Sequence, residues 1–255
     1  MAKYYFVTTL LPQLTFGVSP EINSRELDFI LKLNLTTQDW HKVIVIRRLC
    51  EIENIRRFWQ KKPIEPGGNY DEKEIEEHLL HLEGYPSYVY EFMERYPDTT
   101  ERVRHFPELL HTFFTIEIAN STGFVHDYLL FEWHCRLIFT LLRAKELKRD
   151  VEKEFLLENL EDPFIEQLLQ QNGTTFELPT PFQPIKIFFE SHKHQPLALH
   201  LAIAEWRFDF INNMVGWHTF DIDCILGYVV ELGIIEQWMK LDRKKGLEIA
   251  KHLTM

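Results

Sequence analysis

The chain has 255 residues, of which 45% are hydrophobic and 26% are charged, and its formal net charge is −11. This is the composition of a globular protein rather than a disordered one, and a chain of this length buries a sizeable core without disulfides or metals. Because an acidic chain lacks the basic face of a general nucleic-acid binder, no nucleic-acid partner is expected.

Cysteine usage and hydropathy indicate a cytoplasmic protein that is not inserted in a membrane. Cys50, Cys135 and Cys224 lie far apart without a CxxC pair, which is typical of free thiols in a reducing compartment. The apolar run near the N-terminus stops at Pro12 without a cleavage site, so no signal peptide is predicted. The apolar stretch Ile222–Leu241 carries charged side chains that a membrane-spanning helix would not tolerate.

The first elements in chain order are one extended segment and two helices. Tyr4–Thr9 is aromatic and β-branched, which predicts a strand or an extended N-terminal segment. Asn23 and Glu26 have the spacing of a capping box and predict a helix over Ser24–Leu33. A longer helix is predicted over Gln38–Lys61, and the run of Pro and Gly that follows marks its end.

The middle of the chain contains the longest predicted helix, residues 124–149, which has no internal Pro or Gly. Two narrow polar stripes divide its apolar residues, so it needs cover from two directions and belongs at the centre of a helical domain. Glu132 and Arg136 lie on one stripe at i, i+4 with the acid first, which predicts a structural polar pair.

These elements predict an all-α protein, an elongated multi-helix bundle with helical lobes around the central helix. Residues 1–173 form the predicted N-terminal lobe, and residues 196–255 form the predicted C-terminal lobe. Residues 174–195 are rich in proline at their start and predict an extended linker between the lobes. The two lobes can also pack as one domain.

No standard catalytic or nucleotide-binding motif is present in the sequence. It lacks a P-loop, GxGxxG, GxSxG and HExxH. The nearest metal candidates are Glu108 with His111, and His78 with His81 beside an acidic run. A di-iron site needs two Glu-x-x-His motifs and two further glutamates, and only one such motif occurs. We therefore expect structural histidines, no metal, no cofactor and no active site.

One helix combines positive charge with an aromatic residue, which is the composition that anchors protein interfaces. Its candidate contact residues are Arg47, Arg48, Arg56, Arg57 and Trp59. They predict a contact patch for an acidic partner. The alternative is a surface helix that balances the charge of an acidic chain.

Five segments follow one another along the chain: YYFVTTLLPQLTFG, FEWHCRLIFTLLRAKELKRD, EDPFIEQLLQQ, LHLAIAEWRFDFI and FDIDCILGYVVELGIIEQWMKLDRKKGLEI. Together they resemble the bacterial C-like subunits of V-type ATP synthases. The resemblance extends from about Lys3 to Leu253, which is nearly the whole chain. It rests on helical segments in a shared order and includes no catalytic signature.

The resemblance implies a non-catalytic component of a rotary V-type ATPase. Such a component links the central stalk to the rotating proteolipid ring and transmits torque during proton or sodium transport. Its partners would be stalk and proteolipid proteins, and it would lie peripherally at the inner face of the membrane. The alternatives are a helical adaptor or regulator unrelated to ATPases, or a helical-bundle metal-dependent enzyme.

Overall fold

The computed structural model describes residues 3–170, 177–216 and 220–241, and all regular secondary structure in these residues is helical. The predicted all-α class is therefore confirmed. In chain order the helices are α1 Tyr5–Leu10, α2 Ser24–Asn34, α3 Thr37–Trp59, α4 Glu72–His81, α5 Ser87–Arg95, α6 Thr99–Arg104, α7 Phe106–Asn120, α8 Phe124–Glu146, α9 Val151–Glu154, α10 Pro163–Leu169, α11 Gln183–His192, α12 Pro196–Val215 and α13 Ile222–Lys240, with a 3₁₀ turn at Thr180–Phe182 before α11.

The chain divides into two compact units. Residues 1–40 and 171–255 form one, here called the terminal unit, and residues 41–170 form the other, the middle unit. The later boundary lies close to the one predicted at residue 173, but residues 1–40 pack with the C-terminal part of the chain. The predicted C-terminal lobe includes residues 242–255, which lie outside the described residues.

The N-terminal segment is a helix, so the predicted strand is wrong. The Tyr4 amide donates to the carbonyl of Phe220 at 2.6 Å, and the Tyr4 hydroxyl donates to Asp39 at 2.5 Å. Val7 is buried. β-Propensity measures how well a side chain fits a pleated, half-buried surface. In this segment the tertiary contacts of Tyr4 and Val7 outweigh β-propensity, and the segment forms the helix α1.

Helix α2 is docked on α13 in the terminal unit. The capping box predicted from Asn23 and Glu26 is present. The Ser24 amide and hydroxyl both donate to the Glu236 carboxylate, at 2.8 and 2.6 Å. A carboxylate at a helix N-terminus accepts from otherwise unpaired amides and opposes the helix dipole. With α2 docked in this way, Leu27 and Leu31 are buried in the core.

The predicted extended linker is helical over most of its described length. Residues 174–176 lie outside the described residues, and α11 occupies Gln183–His192. Pro181 lies near the start of the 3₁₀ turn, and Pro184 lies in the first turn of α11. Proline has no amide hydrogen to lose there, so it starts a helix rather than breaking it. The extended linker was predicted from prolines taken as helix breakers, whereas these prolines lie where helices begin.

Helix α8 is the buried helix of the middle unit, as its two apolar faces predict. It packs against α7, α9 and α10, and more than half of its residues are buried, among them Leu129, Ile138 and Leu141. It ends at Glu146, short of the predicted end at residue 149. Lys148 takes a left-handed conformation with φ of 52°, which a continuing helix does not allow.

Two buried polar residues of α3 hold the loop that follows it. The Glu51 carboxylate accepts from the amides of Asn69 and Tyr70, at 2.5 and 3.1 Å. The Asn54 side chain exchanges two hydrogen bonds with the backbone of Glu65, at 2.8 and 2.9 Å. The backbone at Gly68 passes directly over these groups, so a Cβ there would lie 2.5 Å from the Glu51 carboxylate.

We predict that Gly68→Ala destabilises the middle unit by about 1–3 kcal/mol, because the new methyl group would displace a buried, hydrogen-bonded carboxylate. The matched control is Gly67→Ala, where the Cβ would meet only the Cys50 sulfur at an ordinary 3.5 Å. That variant should lie within about 0.5 kcal/mol of the wild type. Urea denaturation followed by circular dichroism measures both, and equal losses would contradict the role of Glu51.

Candidate interaction surface

Three of the five residues predicted to form a basic contact patch are buried, or nearly so, in the core of the middle unit. Arg47 is buried, and Trp59 is buried with its ring 6.0 Å from that of Phe92. Arg48 forms an ion pair with Glu117 at 2.6 Å, and both side chains are almost covered. These residues cannot present a surface to a partner, so the predicted patch is wrong in this part.

The other two arginines are partly exposed, and nearby acids balance their charges. Arg56 lies 2.5 Å from Glu53 and packs its guanidinium on the Phe106 ring at 4.7 Å. Arg57 pairs with Glu65 at 2.7 Å. The positive charge that stands out in the sequence is therefore neutralised within the unit. The partner Glu53 is one turn away in sequence, whereas Glu65 lies on the following loop.

The metal candidates separate into two different contacts. Glu108 accepts from the Tyr96 hydroxyl at 2.8 Å and lies 2.8 Å from the His105 ring. Burial raises the pKa of Glu108, but these hydrogen bonds outweigh burial and leave the pKa below its ordinary value. His111 lies instead 3.2 Å from Glu158. In the described residues, no group of three or more potential ligands is placed to hold a metal ion.

The second pair of metal candidates does not converge either. The His78 ring lies 4.3 Å from the ring of Tyr70 and 6.0 Å from that of Tyr85. His81 is exposed at the end of the same helix. His78 is thus part of an aromatic cluster with Tyr70 and Tyr85.

The i, i+4 spacing predicts Glu132 as the partner of Arg136, but other carboxylates also lie near Arg136. Burial lowers the pKa of Arg136, and the carboxylates that act against this shift are Glu158 and Glu53. One guanidinium nitrogen of Arg136 is buried without a hydrogen-bond partner in the described part of the chain. Glu132 is itself buried on α8.

The strongest candidate for a functional site is an exposed apolar surface on α1 and α2, two helices that contact each other. Each helix buries one side and leaves large side chains on the other in solvent. We call these residues the N-terminal apolar surface: Tyr5, Phe6, Leu10, Phe29 and Leu33, which are 53%, 66%, 49%, 68% and 68% exposed. Large apolar side chains that are exposed close together are candidates for interaction sites.

The spacing of these residues gives each helix two apolar faces. Phe6 and Leu10 are four residues apart on α1, as are Phe29 and Leu33 on α2, so each pair shares a face. α1 also carries no charged side chain. A helix that needed only to cover the core would expose polar residues on its outer face. The outer faces of α1 and α2 are suited to contact with another apolar surface.

A second exposed apolar group lies in the middle unit, around α9. It consists of four leucines, here called the leucine surface: Leu147, Leu156, Leu157 and Leu160, of which Leu156 is 75% exposed. The adjacent Phe155 is completely buried and anchors this turn. The segment therefore has a fixed core contact and an apolar outer side.

Sequence reasoning missed both surfaces, although one signal was present. A strand or extended segment over Tyr4–Thr9 hides the helical spacing of Phe6 and Leu10. On α2, Leu27 and Leu31 form one apolar stripe, while Phe29 and Leu33 form another. Of these two stripes, Leu27 and Leu31 are buried and Phe29 and Leu33 are exposed.

One partly buried acid in the terminal unit has no compensating charge among the described residues. Glu231 is half-buried on α13, and burial alone raises its pKa to about 7. The Tyr228 hydroxyl, one turn earlier, is buried without a hydrogen-bond partner in the described residues, and Glu231 contributes to raising the Tyr228 pKa. The carboxyl is therefore held partly protonated near neutral pH.

Fold and surface together define a protein whose described part is all-helical and exposes large apolar side chains. The chain belongs to the family described as protein of unknown function (DUF2764), whose model matches residues 1–255. The expected membership of the family of C-like V-type ATP synthase subunits is therefore wrong. Helical segments of ordinary composition in a shared order were too weak a criterion for that assignment.

Chlamydial proteins are similar to this chain over almost their whole length. A relative from Chlamydia muridarum is 26% identical over 256 residues, which cover 98% of this chain and 96% of the relative. One from Chlamydia pneumoniae is 26% identical over 260 residues, covering 99% and 98%. Both are named only as uncharacterized proteins. No solved structure matches the chain. Within the described residues, no helix is long and apolar enough to cross a membrane.

We predict that Arg48→Ala destabilises the middle unit by about 3–5 kcal/mol, because it leaves the buried Glu117 carboxylate without its countercharge. Tyr88, which also donates to Glu117 at 2.9 Å, cannot supply a charge. The matched control is Arg104→Ala, which removes an exposed ion pair with Glu101 and should cost well under about 1 kcal/mol. Urea midpoints measure the difference, and similar losses would show that Arg48 is not a core residue.

We predict that Glu231→Gln stabilises the terminal unit at about pH 8, by on the order of 1–3 kcal/mol. The folded-state pKa is above that of the unfolded chain, so the unfolded state releases its proton first. Wild-type stability should therefore fall as pH rises from the ordinary carboxyl pKa to about 7. Near about pH 4, below the pKa of the carboxyl in the unfolded chain, the variant and the wild type should differ little.

Unfolding midpoints at both pH values test this linkage. The control is Glu205→Gln, which removes an exposed carboxylate of α12 in the same unit. It should leave the pH profile of stability unchanged. A Glu231→Gln variant whose profile parallels that of the wild type would contradict the raised pKa.

Proposed function

We propose that this protein is a non-catalytic helical adaptor that binds protein partners through the N-terminal apolar surface and the leucine surface. The observation that carries the proposal is the exposure of Phe6, Phe29 and Leu33, each about two-thirds open to solvent on a helix whose other face is buried. The two surfaces belong to different compact units. One contact surface is thus proposed in each unit.

The energetics of these side chains support binding. Fully burying one large apolar side chain is worth about 1.5–3 kcal/mol, and a few central residues dominate most protein interfaces. Exposed residues add little to the stability of the free chain, so their apolar character serves a contact rather than the fold.

A role in a rotary V-type ATPase is one specific form of this proposal. The resemblance that suggested it no longer supports it, because the chain belongs to another family. In this form, central-stalk and proteolipid-ring proteins would be the partners, and the chain would lie peripherally at the inner face of the membrane. Co-purification with those proteins tests this form directly.

We predict that the double substitution Phe29→Ser and Leu33→Ser removes partner binding without unfolding the chain. The two side chains are exposed, so stability should change by less than about 0.5 kcal/mol. Affinity should fall at least about tenfold, because two anchors are lost. Native pull-down with a tagged chain, quantified by mass spectrometry, measures the partner yield.

The matched control is Ile187→Ser on α11, which changes an apolar side chain of similar exposure in the same unit. It should leave the partner yield unchanged. Partners recovered equally with wild type and the double variant would contradict the assignment of the N-terminal apolar surface. Loss of partners in the control as well would show a non-specific effect of lower surface hydrophobicity.

A further inference from the structure

Two exposed cations lie beside the apolar outer face of α2 in a chain whose net charge is negative. The net charge is −11, yet the exposed apolar residues of α2 are accompanied by Arg25 and Lys32, both exposed. With about 100° of rotation per residue, Arg25, Phe29, Lys32 and Leu33 fall within an arc of about 100° on α2. The outer face of α2 is therefore apolar with a basic rim on the side of Arg25 and Lys32, and the exposed Glu26 lies about 20° beyond Leu33 on the other side.

The two acids of α2 lie outside the arc of these four residues. The Glu26 carboxylate accepts the Asn23 amide at 2.9 Å and completes the capping box. Asp28 is half-buried and lies outside the outer arc. In contrast, Arg25 makes no ion pair within the described part of the chain, and the Lys32 ammonium lies 5.2 Å from the Trp40 ring. The cations remain available to a partner.

We propose that the outer face of α2 binds an acidic amphipathic helix of a partner protein. Apolar side chains of that helix would pack on Phe29 and Leu33, and its flanking carboxylates would pair with Arg25 and Lys32. This mode places an amphipathic helix against an apolar surface through residues spaced three or four apart. The inference rests on the proposed adaptor function and specifies the chemistry of one partner.

The charge distribution favours a protein helix over a lipid surface. Stable attraction to anionic lipids takes a cluster of about 4–8 basic residues, whereas the basic residues of α2 are Arg25 and Lys32 alone. A chain with a net charge of −11 is also repelled by anionic lipids as a whole. Two local cations suffice for two ion pairs with a helix.

The test uses two synthetic amphipathic peptides with identical leucine positions, one with Glu and one with Lys beside them. Fluorescence anisotropy measures the binding of each labelled peptide to the full chain. We expect the Glu peptide to bind about 3- to 10-fold more tightly at low salt, which corresponds to two exposed ion pairs. Salt should reduce this preference.

A charge-swap variant makes the test specific. In Arg25→Glu with Lys32→Glu the preference should invert, so that the Lys peptide binds more tightly. The matched control is Lys73→Glu with Lys153→Glu, which makes the same change in charge at exposed positions of the middle unit. The control should keep the preference of the wild type.

Several results would overturn the proposal. These are no binding of either peptide, equal binding of both, or a preference that the charge swap leaves unchanged. Binding to vesicles of anionic lipid but to neither peptide would assign the face to a membrane. Self-association of the chain that the charge swap abolishes would assign it to a second copy.

Failure of the adaptor function and failure of the acidic-partner inference give different results. If the peptides bind equally well to the variant with Phe29→Ser and Leu33→Ser, the N-terminal apolar surface is not the contact face and the proposed function fails. If binding requires Phe29 and Leu33 but ignores the charge swap, the adaptor function stands and only the acidic character of the partner is overturned.

Discussion

The contact of Ser24 with Glu236 determines how the N-terminal part of this protein is presented. Two hydrogen bonds to one carboxylate hold the first turn of α2 against α13, and they join residues 212 positions apart in the sequence. Once this end of α2 is fixed, Leu27 and Leu31 face the core, and the stripe with Phe29 and Leu33 has only solvent to face. The candidate interaction surface is a consequence of that docking.

In the middle unit, polar and charged side chains are buried rather than exposed. Glu51, Asn54 and the pair Arg48–Glu117 are buried or nearly so, and each has hydrogen-bond partners from other segments. Removing one partner from such a network costs far more than the network contributes, because a bare charge is left in a medium of low polarizability. These residues maintain the arrangement of α3 and its loop.

The proposed adaptor function separates rigidity from binding. Buried polar contacts and the covered helix α8 stabilise the middle unit, while exposed apolar residues on α1, α2 and around α9 are the proposed contact residues. The exposed residues contribute little to stability, so they can be altered without unfolding the chain. That independence makes the proposed function accessible to mutagenesis.

Local rules were enough to predict the helical class, the capping box of α2 and the long covered helix α8, because capping chemistry and the 3.6-residue period are readable from neighbouring residues. They were not enough to assign the family, since helical segments of this kind are shared by many proteins. The helical state of α1, the start of α11 at Pro184, and the burial of Arg47, Arg48 and Trp59 became known only from the folded chain. The two clearest cases depend on partners distant in sequence, Phe220 for Tyr4 and Glu117 for Arg48, and local propensity carries no information about such partners.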